Sequence, residues 1–130
     1  MIDRYTRPEM SKIWSDEHRM RLMLRVEEAF LQVLAADKDI PASEMKVLAE
    51  VMKKNLVAQA REKEKRSGHD VIAMLQAVAD ELGERCPNLN RYLHYGLTSS
   101  DVLDTAFALQ LQEACDLLLK GWREVAEKLR

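Results

Sequence analysis

The chain has 130 residues, one domain's worth, with 20 basic and 22 acidic side chains and a formal net charge of −2. That balance excludes a binder driven by a basic excess, such as a nucleic-acid or membrane-surface protein. Hydrophobic residues at 47% and charged residues at 32% exclude disorder, and four glycines, three prolines and 5% aromatics are too few for a sandwich or barrel, so an all-α fold is expected.

The first element is a short helical turn beginning at Arg7-Pro8-Glu9-Met10; Pro8 suits a first helical position, where its missing N–H would be unpaired in any case. Ser15 is placed to cap the next helix, with Asp16 and Glu17 at the positive end of its dipole. Met20, Met23, Val26, Phe30, Val33 and Leu34 are expected on its buried side. After Asp39-Ile40-Pro41, a second amphipathic stretch runs from about Ser43 to Lys54 with Met45, Leu48, Val51 and Met52 three and four apart, and Asn55 weakens it. Between Lys53 and Arg66 stand six basic and two acidic residues, +4 by difference. Such a run either attracts a polyanion or is the solvated face of a helix, and the second is the commoner case. Ser67-Gly68 ends that helix, Asp70 can cap a third, Val71, Met74, Leu75, Val78 and Leu82 form its core stripe, and Gly83 stops it. Residues 84–100 carry no helical stripe and hold Pro87, Asn88, Asn90 and Gly96, so a long functional connection is expected there.

In the last helix Phe107, Leu111, Cys115, Leu118, Trp122, Val125 and Leu129 recur at intervals of four, four, three, four, three and four. This is a heptad seam that packs against neighbouring helices. It is still in phase at Leu129, as expected of a chain cut through a helix. No apolar run approaches the ~20 residues of a membrane span, and no secretion signal opens the chain. Cys86 and Cys115 lack metal-ligand spacing and are too few for a disulfide framework, so reduced thiols in the cytoplasm, and no metal, are expected.

Two clusters carry candidate chemistry. His69-Asp70 stands at a helix start, where it is either a cap or a proton carrier beside amides that favour anions. In His94-Tyr95-Gly96-Leu97-Thr98-Ser99-Ser100-Asp101, three hydroxyls lead into a helix. One cap needs one hydroxyl, so redundant capping and a receptor for a carboxylate or phosphate both remain open.

The run from His94 to Thr105 resembles the adenylosuccinate lyase family of the fumarase/aspartase superfamily. So do the opening Ile2-Asp3-Arg4-Tyr5-Thr6-Arg7-Pro8-Glu9-Met10, the following Ile13-Trp14-Ser15-Asp16-Glu17, and His69-Asp70-Val71. The blocks lie in the family's order and span the chain from end to end. The resemblance implies a small helical N-terminal domain, residues 1–97, followed by the first long helix of a central bundle, residues 98–130. It implies a cofactor-free β-elimination of fumarate from adenylosuccinate, giving AMP, and from the succinyl-carboxamide ribotide (SAICAR), giving AICAR. A base takes a proton beside a succinyl carboxylate, an acid protonates the leaving nitrogen, and fixed donors stabilise the carbanion between.

By the same resemblance, Arg4 and Tyr5 contact the nucleotide near its 5′-phosphate, and His94 contacts the phosphate side. His69 and Asp70 are the active-site pair, and Thr98 and Ser99 hold the succinyl carboxylates. The family commonly has a threonine two before the histidine; here Ser67 fills the place with Gly68 after it, keeping the hydroxyl in a looser loop. The general acid and the mobile loop bearing the base lie beyond the position of Arg130, in a site shared among the subunits of a homotetramer. The 130 residues alone are therefore expected to be inactive, with their seam left for self-association. The alternatives are another lyase of the superfamily, such as argininosuccinate lyase, and a helical oligomerisation module without chemistry. Arg4-Tyr5 and the spacing of His69-Asp70 speak against the first, and the surplus hydroxyls and paired histidines against the second.

Overall fold

Most helices begin where something satisfies, or removes the need to satisfy, their first free amides. The computed structural model describes residues 3–130; Ile2, in the opening block, lies outside them. A 3-10 turn at Asp3–Tyr5 precedes α1 (Pro8–Ile13), which has proline at its first position. Helix α2 (Asp16–Asp37) is capped by the Ser15 hydroxyl, which accepts from His18 N at 3.2 Å. Helix α3 (Ala42–Val51) follows Pro41, and at α4 (Val57–Ser67) the side chain of Asn55 accepts from Val57 N at 3.2 Å. Helix α5 (Asp70–Leu82), a 3-10 turn (Gly83–Arg85), α6 (Pro87–Tyr92) and α7 (Ser99–Lys128) complete the order. There is no strand among the described residues, so the fold is all-α.

Helix α5 is central. Every residue of its expected stripe is buried, together with Ala73 and Ala77, and α3, α4, α6 and α7 all touch it. Gly68, at φ 66°, closes α4 in the left-handed conformation that favours glycine and turns the chain into an antiparallel α4–α5 pair. Across this pair Lys63 reaches Asp80 at 2.5 Å, and Lys54, in the turn before α4, reaches Glu81 at 2.5 Å; Arg61 pairs with Asp16 of α2, and Lys65 with Glu62 within α4. No residue of α4 is buried. The basic run is thus the solvated face of a helix, its cations largely matched within the molecule.

Three expectations change. Helix α2 buries Met20 and Met23 as expected, but with Leu22, Leu24, Glu27 and Leu31, while Val33 is 72% exposed. The helix packs against α3 and α4 as well as α7, so it buries more than a single stripe, and Val33 is left outside. The connection at 84–100 is not structureless, since it contains α6, with Pro87 at its first position and Leu89 fully buried. The start of α6 is held from outside: the buried Glu44 carboxylate of α3 accepts from Leu89 N at 2.9 Å and Asn88 Nδ2 at 2.8 Å. Asp70, finally, is the first residue of α5 and not its cap; His69 occupies that position, and the Asp70 carboxylate accepts from Val71 N at 2.8 Å.

Helix α7 packs along α2 through Val102, Ala106, Gln110 and Ala114, spaced four apart. His18 Nε2 meets Glu113 Oε2 at 2.6 Å, and Gln110 Nε2 donates to the Ile13 carbonyl at 2.7 Å. The seam residues from Phe107 to Leu129 lie on the outer surface, exposed in this chain.

Burial pushes the Cys86 thiol above its usual range, helped by the nearby Glu44 carboxylate, whereas Cys115 is exposed on α7. In the folded, unassociated chain Cys115 should react quickly with a disulfide reagent such as DTNB, and Cys86 only on unfolding. Two fast thiols without denaturant would contradict the burial of Cys86 at the start of α6.

Candidate active site at the start of helix α7

The ends of two helices meet here. Gly68 brings the chain out of α4 and His69 leads it into α5 with an extended backbone. The Ser67 hydroxyl accepts from His69 N and donates to the His69 carbonyl, each at 3.2 Å. The loop expected to be loose is therefore tied by the serine that replaces the family's threonine. From this turn the His69 ring reaches α7, where Nε2 lies 3.3 Å from Ser99 Oγ. Its Nδ1 stands 3.7 Å from Asp70 Oδ1, and the other Asp70 oxygen accepts from Arg19 of α2 at 2.7 Å. A half-exposed histidine thus has a carboxylate beside one nitrogen and a hydroxyl beside the other. That arrangement can orient the ring and pass a proton.

Thr98 caps α7. Its hydroxyl accepts from Asp101 N at 3.3 Å and donates to Asp101 Oδ2 at 2.8 Å, and Thr98 N donates to the same oxygen at 2.7 Å. The backbone bond first, then the hydroxyl, hold the Asp101 carboxyl below its usual range. Of the hydroxyl cluster, Thr98 is therefore engaged in a reciprocal cap. To donate to a ligand carboxylate it would have to leave Asp101. Ser99 instead faces His69.

His94 lies in the turn before α7, its Nδ1 2.6 Å from Oε1 of Glu27, a residue with no exposed surface. The His94 carbonyl accepts from Leu97 N at 3.3 Å, so this turn leads directly into the Thr98 cap at the same end of α7.

Arg4 and Tyr5 are elsewhere. The Arg4 guanidinium lies 4.8 Å over the Tyr5 ring, and Tyr5 is 75% exposed. Helix α1 runs back along α7: Trp14 packs on Phe107 with ring centres 6.1 Å apart, and the Arg7 guanidinium sits 3.8 Å from where a Cβ on Gly121 would be. At 1.5 Å per residue, Ser99 and Gly121 are ~33 Å apart along the helix. His69, Asp70, His94, Thr98 and Ser99 are brought to one end of α7, and Arg4 and Tyr5 are not brought to them.

Sequence reasoning missed Glu27 and Arg19. A signal existed for Glu27, which stands four from both Met23 and Leu31, on the face those residues bury. None existed for Arg19, whose partner Asp70 is 51 residues away. Among the described residues, no group of three or more His, Cys, Asp or Glu is placed to hold a metal ion.

A family model described as "Lyase" matches residues 3–130. The chain belongs to this lyase family. It is similar to the adenylosuccinate lyase of Aquifex aeolicus, 41% identical over 132 residues covering 100% of this chain and 29% of that protein. The adenylosuccinate lyase of Bacillus subtilis is 43% identical over 120 residues, 92% of this chain and 27% of that protein. That of Synechocystis is 41% identical over 133 residues, 100% of this chain and 29% of that protein. The lyase chain thus spans under a third of the length of the curated relatives it matches. No helix among its described residues is long and apolar enough to cross a membrane.

The cap makes the lyase chain's stability pH-dependent in a stated direction. A carboxyl depressed in the folded state stabilises above its unfolded pKa of about 4, and that contribution is lost as pH falls through the lower folded value. Asp101→Asn keeps an acceptor there but does not titrate. Urea unfolding at pH 7 and pH 3 should show the wild type losing more stability than the variant; equal losses would contradict the capping geometry.

Proposed function

We propose that this chain supplies binding residues and a proton-handling histidine to an adenylosuccinate lyase. The reaction is elimination of fumarate from adenylosuccinate to give AMP, and from SAICAR to give AICAR. The observation that carries the reading is the 3.3 Å contact of His69 with Ser99, which joins two of the resemblance blocks across 30 residues of sequence. The identities of 40–43% to proteins named adenylosuccinate lyase, over 92–100% of the chain, support it.

In this reading Ser99, joined by Thr98 when its hydroxyl leaves Asp101, holds a succinyl carboxylate at the amino end of α7, where free amides and the helix dipole favour an anion. His69, flanked by Asp70, hydrogen-bonds the succinyl group beside the carbon that loses its proton. The fixed donors draw charge from the carbanion as it forms. No cofactor takes part. The principal acid and base come from outside these 130 residues, which alone are inactive. His94, Arg4 and Tyr5 serve the phosphate side. Arg7, three residues after Arg4, lies beside Gly121, ~33 Å along α7 from Ser99, which supports a reading in which Arg4 and Tyr5 complete a site other than the one their own His69 serves. A homotetramer, with α7 from residue 98 as the first helix of a central bundle, meets that requirement. A cytoplasmic setting, with reduced thiols, belongs to the same reading.

Half-sites bind weakly. AMP should bind this chain in the ~mM range, worth about 4 kcal/mol, and move NMR signals at Arg4, Tyr5 and the His94–Ser99 turn. Shifts confined to residues 53–66, or micromolar affinity, would count against the assignment.

A further inference from the structure

The face of α2 that enters the core runs Met20, Met23, Glu27, Leu31, and its third position is a carboxylate with no exposed surface. Glu27 Oε1 has one partner, His94 Nδ1 at 2.6 Å, and Oε2 is buried without any. A buried carboxylate with one oxygen unpaired is costly, and apolar residues of similar volume are often as good or better at such places. Stability does not explain Glu27. Its partner is unusual as well. His94 has φ 61°, in the left-handed region that residues with a β-carbon avoid, in the turn between α6 and α7. Its side chain keeps 16% of its surface open, in a turn whose His94 carbonyl accepts from Leu97 N at 3.3 Å, just before the Thr98 cap of α7. With Nδ1 turned inward to Glu27, Nε2 across the ring is the nitrogen left to a ligand.

We propose that Glu27 is a positioning residue: its buried carboxylate fixes the His94 ring through Nδ1 so that Nε2 meets an anionic group, of the phosphate class, at the turn between α6 and α7. The proposal rests on the reading of His94 as a phosphate-side contact. A ring that gives Nδ1–H to a carboxylate gives Nε2–H to an anion at the same time only as the doubly protonated imidazolium, and the buried carboxylate is the charge that balances it. The cost of burying Glu27 and the strain at His94 are then both spent on one orientation. Partners that orient a histidine in this way set which nitrogen faces the ligand.

The test uses long-range ¹H–¹⁵N spectra of His94, AMP titration and thermal melts on the chain and on Glu27→Leu and Glu27→Gln. In the wild type, His94 should carry a proton on Nδ1, and on both nitrogens when AMP is bound. Glu27→Leu should release the ring and weaken AMP binding about tenfold, with a melting temperature equal to or above that of the wild type. Glu27→Gln, whose carbonyl still accepts from Nδ1–H, should restore the Nδ1-protonated ring. A wild-type His94 protonated on Nε2 alone would overturn the proposal, and this measurement stands even if a variant fails to fold. So would a Glu27→Leu chain that melts lower yet binds AMP as before, since Glu27 would then be a packing residue. If no variant binds AMP while Glu27→Leu still frees the ring, the nucleotide reading fails and the hold of Glu27 on His94 stands.

Discussion

The close approach of α2 and α7 governs where everything else lies. Small residues make it possible: Ala106 and Ala114 flank Gln110 on the buried face of α7, with Val102 nearer the start. Polar contacts fix the register, His18 to Glu113 in the middle and Gln110 to the Ile13 carbonyl beyond the start of α2. A helix docked in this way has no freedom to slide, because each of these donors and acceptors would lose its partner. The amino end of α7 is thereby delivered to the amino end of α5, and Ser99 meets His69. A shift of one turn, 5.4 Å, would part them.

The same docking divides α7 into two halves with different surroundings. Up to Ala114 one face is inside the domain; beyond it, no described residue of the helix is buried. Trp122 is 72% exposed and Leu129 83%, and Leu118 and Val125 lie on the same outer face. Soluble monomers rarely leave so long an apolar stripe in water. The end of the helix that carries Ser99 is thus held by its own domain, while the far end, with Arg7 beside it, is exposed. Under the proposed function, completing a site and covering the stripe would be the same act of assembly.

How much of this was legible in the sequence depends on the range of the interactions. Local signals were read correctly: Ser15 caps α2, Gly68 and Gly83 end their helices, and the stripe of α5 is the core. Helix α6 was not legible because what anchors its start is Glu44, some 45 residues earlier. Glu27 was passed over because a glutamate reads as surface, and only its place among Met23 and Leu31 says otherwise. The seam was legible as an apolar pattern, but a pattern does not say whether the covering helix belongs to the same chain. The hydroxyl cluster pointed to the helix end where Ser99 meets His69. The division of labour within it, Thr98 to the cap and Ser99 to His69, is set by backbone geometry that composition does not carry.

The claim that α7 serves its own domain at one end and other copies at the other is tested most directly by sedimentation velocity. At tens of micromolar the chain should sediment as a dimer or tetramer, and replacing Leu118 and Val125 by glutamate should return it to a folded monomer. A clean monomer of the unmutated chain at that concentration would contradict it, because the outer face of α7 would then need no partner.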